Sequence, residues 1–316
     1  MEKRLMLTRR QFVSQSITSG TALAWARNAS GGDPPERPVT QAIRDGEPFD
    51  AEVIDAHAHF SGFLEGGKLP PGVKTLFRAM DRCGINLSVF SNSSAIGAPD
   101  VEGFRAGNEA AIAAMKKYPG RLLAYLVFQP HFVDASLAMA ERILEPGPGP
   151  AGFKLHGVAH HYPVDGEGYR RAYQFAHEHK LPVLFHVKSS HGAETPTLRN
   201  EPLPVVLSRV LSEFSGMRLI IAHYGRGIDD WAGFTANHPN AFMETAASGV
   251  PFRVLERTVA TAGPGRILFG SDSTYLSPGA QLAKIAFADI GEEAKKQILA
   301  SNARRVFGKS IAASKA

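Results

Sequence analysis

Three observations predict an α/β fold in which eight parallel strands and their helices close into a distorted (β/α)8 TIM barrel, a single domain. From Ala51 onward, short apolar or β-branched runs alternate with longer amphipathic ones. Eight such strand–helix units are present, the number that closes a parallel barrel. Gly or Pro marks most of the junctions. An open doubly wound sheet is the alternative, but no strand is followed by a G-x-G-x-x-G turn, so its dinucleotide-binding form has no support.

The strands are expected at 51–56, 85–91, 121–128, 151–156, 182–187, 218–223, 241–246 and 267–271. Helical patterns lie between them at 73–82, 107–117, 135–144, 168–179, 203–214, 254–262 and 292–307. The barrel therefore covers 51–308, with 309–316 left as a C-terminal tail. The run Pro146-Gly147-Pro148-Gly149-Pro150 reads as a stiff connector into the fourth strand.

Residues 1–30 read as an address and stand outside the fold. Thr8-Arg9-Arg10-Gln11-Phe12-Val13 resembles the twin-arginine export motif. A mildly apolar stretch and an A-x-A-like site at Ala24-Trp25-Ala26 follow. That stretch is too short and too polar to span a membrane stably, so the expected location is periplasmic. Residues 31–50, rich in Gly, Pro and charge, form a linker.

The 316 residues are 44% hydrophobic and 21% charged, enough to bury one large core. The pI of about 9.3 looks basic, but Lys3, Arg4, Arg9 and Arg10 carry much of the excess. From residue 27 on, 31 Lys and Arg face 29 Asp and Glu. No basic cluster interleaves with aromatics, which argues against nucleic acid as a partner. The expected partner is a small-molecule substrate, and a homo-oligomer stays open. The single cysteine, Cys83, cannot form an internal disulfide and reads as a small buried hydrophobe.

In such a barrel the active site is built at the C-terminal ends of the strands. The first strand, Val53-Ile54-Asp55-Ala56-His57-Ala58-His59, ends in two histidines whose side chains share a face. Asp55 has the same parity one step deeper, where a structural hydrogen bond is the better reading than a metal contact. The fourth strand carries Lys154 and His156, the fifth ends in His186, the sixth in His223 and the eighth in Asp272. Five of eight apolar runs thus end in a metal-capable polar side chain at the same relative position.

The pieces Ile-Asp-Ala-His-Ala-His (54–59), Gly-Phe-Lys-Leu-His (152–156), Leu-Phe-His (184–186), Ile-Ala-His-Tyr-Gly (221–225) and Leu-Phe-Gly-Ser-Asp (268–272) occur in order, with a closing Asn-Ala-Arg-Arg-Val-Phe-Gly (302–308). Together they resemble the amidohydrolase superfamily, in its amidohydrolase-related branch, which also holds decarboxylases of the aminocarboxymuconate-semialdehyde type. The resemblance implies a metal-dependent enzyme. It makes His57, His59 and His186 ligands, with Asp272 as fourth ligand and proton-transfer group and His223 activating a metal-bound water. Neutral imidazole suits Zn²⁺, and a bound ion lowers the pKa of water from about 15.7 to near 7.

Some superfamily members carry a carboxylated lysine that bridges two metals on the fourth strand. Lys154 stands at that place, although in this branch one metal is usual, and Lys154 is then a cation for a substrate carboxylate or carbonyl. The expected cofactor is one Zn²⁺, with two metals or Mn²⁺ as the alternatives, and His156 lines the pocket or orients a loop.

Glu244 on the seventh strand and Arg226 after His223 are further candidates for substrate binding, as are His160, His161 and His191 in loops on the same side. His177 and His179, two apart on a helix, cannot face one site and are expected in solvent.

The first functional expectation is hydrolysis of a small amide, lactone or ester by metal-activated water. Non-oxidative decarboxylation of a small carboxylic acid is the alternative on the same ligands. A non-catalytic metal-binding protein is the third reading, disfavoured because His223 and Asp272 are both intact.

Overall fold

The computed structural model describes residues 51–144, 149–188, 192–226, 228–248 and 250–313. The expected export segment and linker, His191, and part of the Pro-Gly connector lie outside the described residues, as do the side chain of Arg226 and residues 314–316.

Eight parallel strands run in chain order around one sheet: β1 (Ile54–Phe60), β2 (Leu87–Asn92), β3 (Leu122–Val127), β4 (Gly152–Leu155), β5 (Pro182–Phe185), β6 (Arg218–Ile221), β7 (Ala241–Glu244) and β8 (Ile267–Leu268). The chain segment after β8 returns to β1. Ala56 N–H donates to Phe269 O (2.8 Å), Asp272 N–H donates to His57 O (2.7 Å), and Ala58 pairs with Ser273 in parallel. The sheet therefore closes, and the (β/α)8 expectation holds. β1 is longer than expected and carries both histidines inside it rather than at its end.

The helices are α1 (Pro71–Arg82), α2 (Ser93–Ile96), α3 (Val101–Lys117), α4 (Val133–Leu144), α5 (Gly157–His160), α6 (Glu167–His179), α7 (Leu203–Glu213), α8 (Ile228–Asn237), α9 (Val254–Ala262), α10 (Pro278–Ala286), α11 (Glu292–Lys296) and α12 (Asn302–Ala313). Pro71 opens α1, where its missing N–H costs no hydrogen bond, and Val73, Leu76 and Met80 form its buried stripe. Asp100 caps α3 by accepting from Gly103 N–H (2.8 Å), which starts that helix before the apolar pattern at 107 shows it. α8 fills the connection between β6 and β7, where no helix was anticipated. A π turn at Gln297–Ser301 separates α11 from α12, and α12 runs past residue 308 to Ala313 with Ile311 buried.

Seven strands are buried along their whole length, and β6 is buried beyond its first residue. Burial on both faces is what parallel strands under a helical layer require. The outward Phe153 meets Phe175 on α6, with ring centres 5.6 Å apart, while the inward Tyr125 Oη donates to Ala56 O across the barrel (3.0 Å). The closed, packed base leaves the C-terminal strand ends as the place where polar side chains converge.

Candidate metal centre

β1 aims both histidines into the barrel mouth. His57 Nε2 and His59 Nε2 lie 3.0 Å apart, and Asp272 Oδ1 is 3.3 Å from His59 Nε2 and 3.8 Å from His57 Nε2. The far side of each ring is held. Glu244 Oε1 sits 2.9 Å from His57 Nδ1, and Ser91 Oγ on β2 sits 3.0 Å from His59 Nδ1. A carboxylate at Nδ1 takes the ring proton there, which leaves His57 Nε2 as a bare lone pair. His59 Nε2–H donates to the Asp272 carboxylate, and the bare His57 Nε2 favours positive charge beside it. Lys154 Nζ, fully buried and 2.9 Å from His57 Nε2, is one such charge.

Two imidazoles and a carboxylate converging on one point are a donor set for a divalent cation. Burial, reinforced by the Lys154 ammonium, drives His57 well below the ordinary imidazole pKa, so it stays in the neutral form a cation needs. Burial alone would raise Asp272. The His59 hydrogen bond and the neighbouring imidazoles outweigh it and hold the carboxyl well below its usual range. Burial pulls Lys154 down to about 8, against the opposing pull of Asp272 and Glu244.

A second trio, His57, His223 and Glu244, also brings ligand atoms together. It is a poor cation site, because the Glu244 oxygens are already taken up. Oε1 accepts from His223 N–H (2.6 Å) and Oε2 from Ala246 N–H (2.6 Å), besides the contact to His57. Glu244 is therefore not open to substrate as the sequence suggested. It is completely buried beneath His57.

His223 is placed by a left-handed turn after β6, with φ of 59° at His223, 53° at Tyr224 and 65° at Gly225. Gly225 suits that turn in a second way, since a Cβ there would sit 2.1 Å from the Trp231 ring. His223 Nδ1–H donates to Ala246 O, and its Nε2 faces His186 Nδ1 at 3.2 Å. His186 stacks on His156 with ring centres 4.0 Å apart. His186 thus stands beside His223, and the trio around His57, His59 and Asp272 forms without it. Burial, with a contribution from Lys154, holds His156 down to about 2. Its Nδ1 accepts from Ala159 N–H (3.1 Å), the loop-orienting role considered for it.

Asp55 sits one step below His57 and accepts from His57 N–H (3.1 Å), Ser88 Oγ (3.1 Å), Ser271 N–H (2.9 Å) and Ser271 Oγ (2.5 Å). Burial pushes it up to about 7 while those four donors pull it down. Its expected structural hydrogen bonding is present, and it ties β1 to the segment that carries Asp272. Sequence reasoning missed Ser88, Ser91 and Ser271, because a serine in a strand carries no periodic signal. It also missed Tyr275, whose ring lies 5.4 Å from His59 at the exposed mouth.

The other loop histidines lie elsewhere. His160 is buried, with Nδ1 2.7 Å from Tyr169 Oη. His177 was expected in solvent, yet it is half-buried and accepts from Gly216 N–H (2.9 Å).

A closed parallel barrel with this donor trio at its C-terminal mouth defines the metal-dependent barrel enzymes. Within them, the amidohydrolase family model matches residues 54–309, and the chain belongs to that family. No curated protein matches the sequence significantly. Similar solved structures include 2,6-dihydroxybenzoate decarboxylase from Rhizobium, at 17% identity and TM-score 0.60, covering 82% of this chain and 99% of that one. The 5-carboxyvanillate decarboxylase of Novosphingobium aromaticivorans, complexed with manganese, is 14% identical at TM-score 0.63, covering 82% and 96%. A dihydroxybenzoic acid decarboxylase from a Polaromonas species, with bound manganese, is 16% identical at TM-score 0.59, covering 82% and 97%.

These neighbours overturn the first functional expectation, hydrolysis of an amide, lactone or ester. The activity they are named for is decarboxylation, which the sequence reading placed second. The physical reason for the error is that both reactions use one ligand set, while the choice between them lies in the loops and the pocket.

Proposed function

We propose that the protein is a metal-dependent, non-oxidative decarboxylase of a small hydroxylated aromatic acid. The observation that carries this reading is a pairing at one donor cluster. A carboxylate with side-chain exposure of 13%, Asp272, and a buried ammonium, Lys154, both stand beside His57 Nε2, at 3.8 Å and 2.9 Å. The pairing supplies a proton carrier and a counter-charge for an anionic substrate, on the fold of known decarboxylases of such acids.

His57, His59 and Asp272 would hold the ion, with His186 as the further imidazole at the same strand ends. A single Zn²⁺ or Mn²⁺ suits these donors. When bound, the ion supplies positive charge for the substrate's carboxylate and phenolate oxygens. Lys154 adds a second positive charge on the barrel side.

In the free protein Asp272 is ionised, so it is ready to take the phenolic proton of an arriving hydroxybenzoate. It returns that proton to the ring carbon bearing the carboxylate. The carbon–carbon bond then breaks, its electron pair restores the aromatic phenolate, and CO₂ leaves. Asp272 ends ionised, and the phenolate recovers a proton from solvent. One proton is consumed and nothing is oxidised or reduced. His223, with Nδ1–H fixed on Ala246, presents a bare Nε2 to the same cavity and orients His186 and the substrate. The twin-arginine-like segment at 8–13 makes the enzyme an exported one.

The test is incubation of metal-loaded protein with 2,6-dihydroxybenzoate and 5-carboxyvanillate in D₂O. CO₂ release with deuterium at the vacated ring carbon supports the reading. Failure to turn over or bind any member of an ortho-hydroxybenzoate panel overturns it.

A further inference from the structure

Glu244 lies 187 residues from His57 in the chain, yet it is the buried acid on which three strands meet. Its Oε1 is 2.9 Å from His57 Nδ1 on β1 and accepts from His223 N–H after β6. Its Oε2 accepts from Ala246 N–H, and the carbonyl of that same Ala246 accepts His223 Nδ1–H. One carboxylate therefore faces the ring of His57 at hydrogen-bond distance, and the ring of His223 both through Ala246 and directly, with Oε1 3.7 Å from its Nδ1.

We propose that Glu244 is a positioning residue that sets the tautomers of both histidines, so that His57 Nε2 and His223 Nε2 are presented together as bare lone pairs to the cavity. The chemistry demands a carboxylate. Every group around Glu244 is an N–H donor: two backbone amides and an imidazole. Only a side chain with acceptors on both oxygens satisfies all three. A glutamine of the same shape must turn its NH₂ toward at least one of those N–H groups. That contact either pushes the His57 proton over to Nε2 or releases the Ala246 turn that holds His223.

Two features beside Glu244 fit this role. Gly270 leaves the space the carboxylate fills, since a Cβ there would sit 2.0 Å from Glu244 Oε2. The loop after β7 has its own anchors on α10. Lys284 Nζ donates to Thr245 O (2.7 Å) and Ala247 O (2.9 Å), and Gln281 Oε1 accepts from Ala247 N–H (3.2 Å). Loss of the Glu244 carboxylate therefore disturbs the histidines more than the loop.

The inference rests on the reading of His57 as a ligand, and the experiment separates the two. Imidazole ¹⁵N spectra of the metal-free protein report the tautomers, and Zn²⁺ titration reports affinity. In the wild type both rings carry the proton on Nδ1. In Glu244→Gln the His57 signal moves toward the Nε2–H form, and Zn²⁺ affinity falls about 10- to 100-fold.

Gly270→Ala, which displaces the carboxylate without altering it, moves both readouts the same way and serves if Glu244→Gln fails to fold. Unchanged ¹⁵N shifts with Zn²⁺ affinity within about twofold of wild type, in whichever of these variants folds, overturn the proposal. A wild type that shows both Nδ1–H tautomers but binds no divalent ion overturns the metal reading instead.

Discussion

Replacing Asp272 by Asn keeps the side chain's shape and removes its proton chemistry. The backbone there is left-handed, with φ of 51°, a region asparagine tolerates, so the turn survives. Asp272 Oδ1 is the carboxylate oxygen beside both imidazole Nε2 atoms, and neither nearby acid can replace it. Asp55 is saturated by four donors, and Glu244 faces the opposite edge of His57. The full contribution of a positioned proton carrier is therefore lost, roughly 10²- to 10⁴-fold in kcat. That corresponds to about 3 to 5 kcal/mol of barrier. The assay is CO₂ release at saturating hydroxybenzoate and excess metal, so that weakened ion binding does not account for the loss, with thermal unfolding run in parallel. A folded, metal-loaded variant working within about tenfold of wild type would refute the mechanism.

Lys154→Met keeps the volume and removes the buried ammonium. Steady-state kinetics should show KM for the carboxylate raised about 10- to 100-fold, the worth of a charged hydrogen bond, with a smaller change in kcat. Burial holds Lys284 down to about 8, while the unfolded chain keeps it near 10.4. Between those pH values the unfolded chain binds more protons, so this group adds stability as pH rises through that window, on the order of 2 kcal/mol after solvent screening. Urea midpoints at pH 7.5 and 10 should therefore rise in wild type relative to Lys284→Met, and parallel shifts in both proteins would contradict the assignment. Removing residues 1–26 should leave a soluble protein that binds a divalent ion, as measured by metal content after gel filtration. Fused to a reporter, residues 1–30 should direct export that is lost when Arg9 and Arg10 become lysine.

Much of the site can be read from local pattern. His57 and His59 share a face because strand side chains alternate, and the observed Nε2 separation of 3.0 Å is that alternation seen in space. Asp272 and His223 follow apolar runs, so their position at strand ends is a local property as well. Helix α8 is less legible, since its apolar and polar residues are only weakly segregated onto opposite faces and leave little periodic signal.

By itself, the sequence determined the barrel, its strand order and the metal-capable residues, because each depends on periodicity and order along the chain, and its motifs carried the resemblance to the family. Tertiary structure alone decided what those residues face. It turned Glu244 from a substrate candidate into the acid beneath His57 and His223, put Ser91 behind His59, and set His186 against His156 rather than in the trio of His57, His59 and Asp272. Such pairings join positions tens to hundreds of residues apart, and closure of the barrel is what brings them within hydrogen-bonding distance. The choice between hydrolysis and decarboxylation belongs to the same class. It depends on charges and proton carriers meeting around the substrate, and a ligand motif common to both reactions carries no record of that meeting.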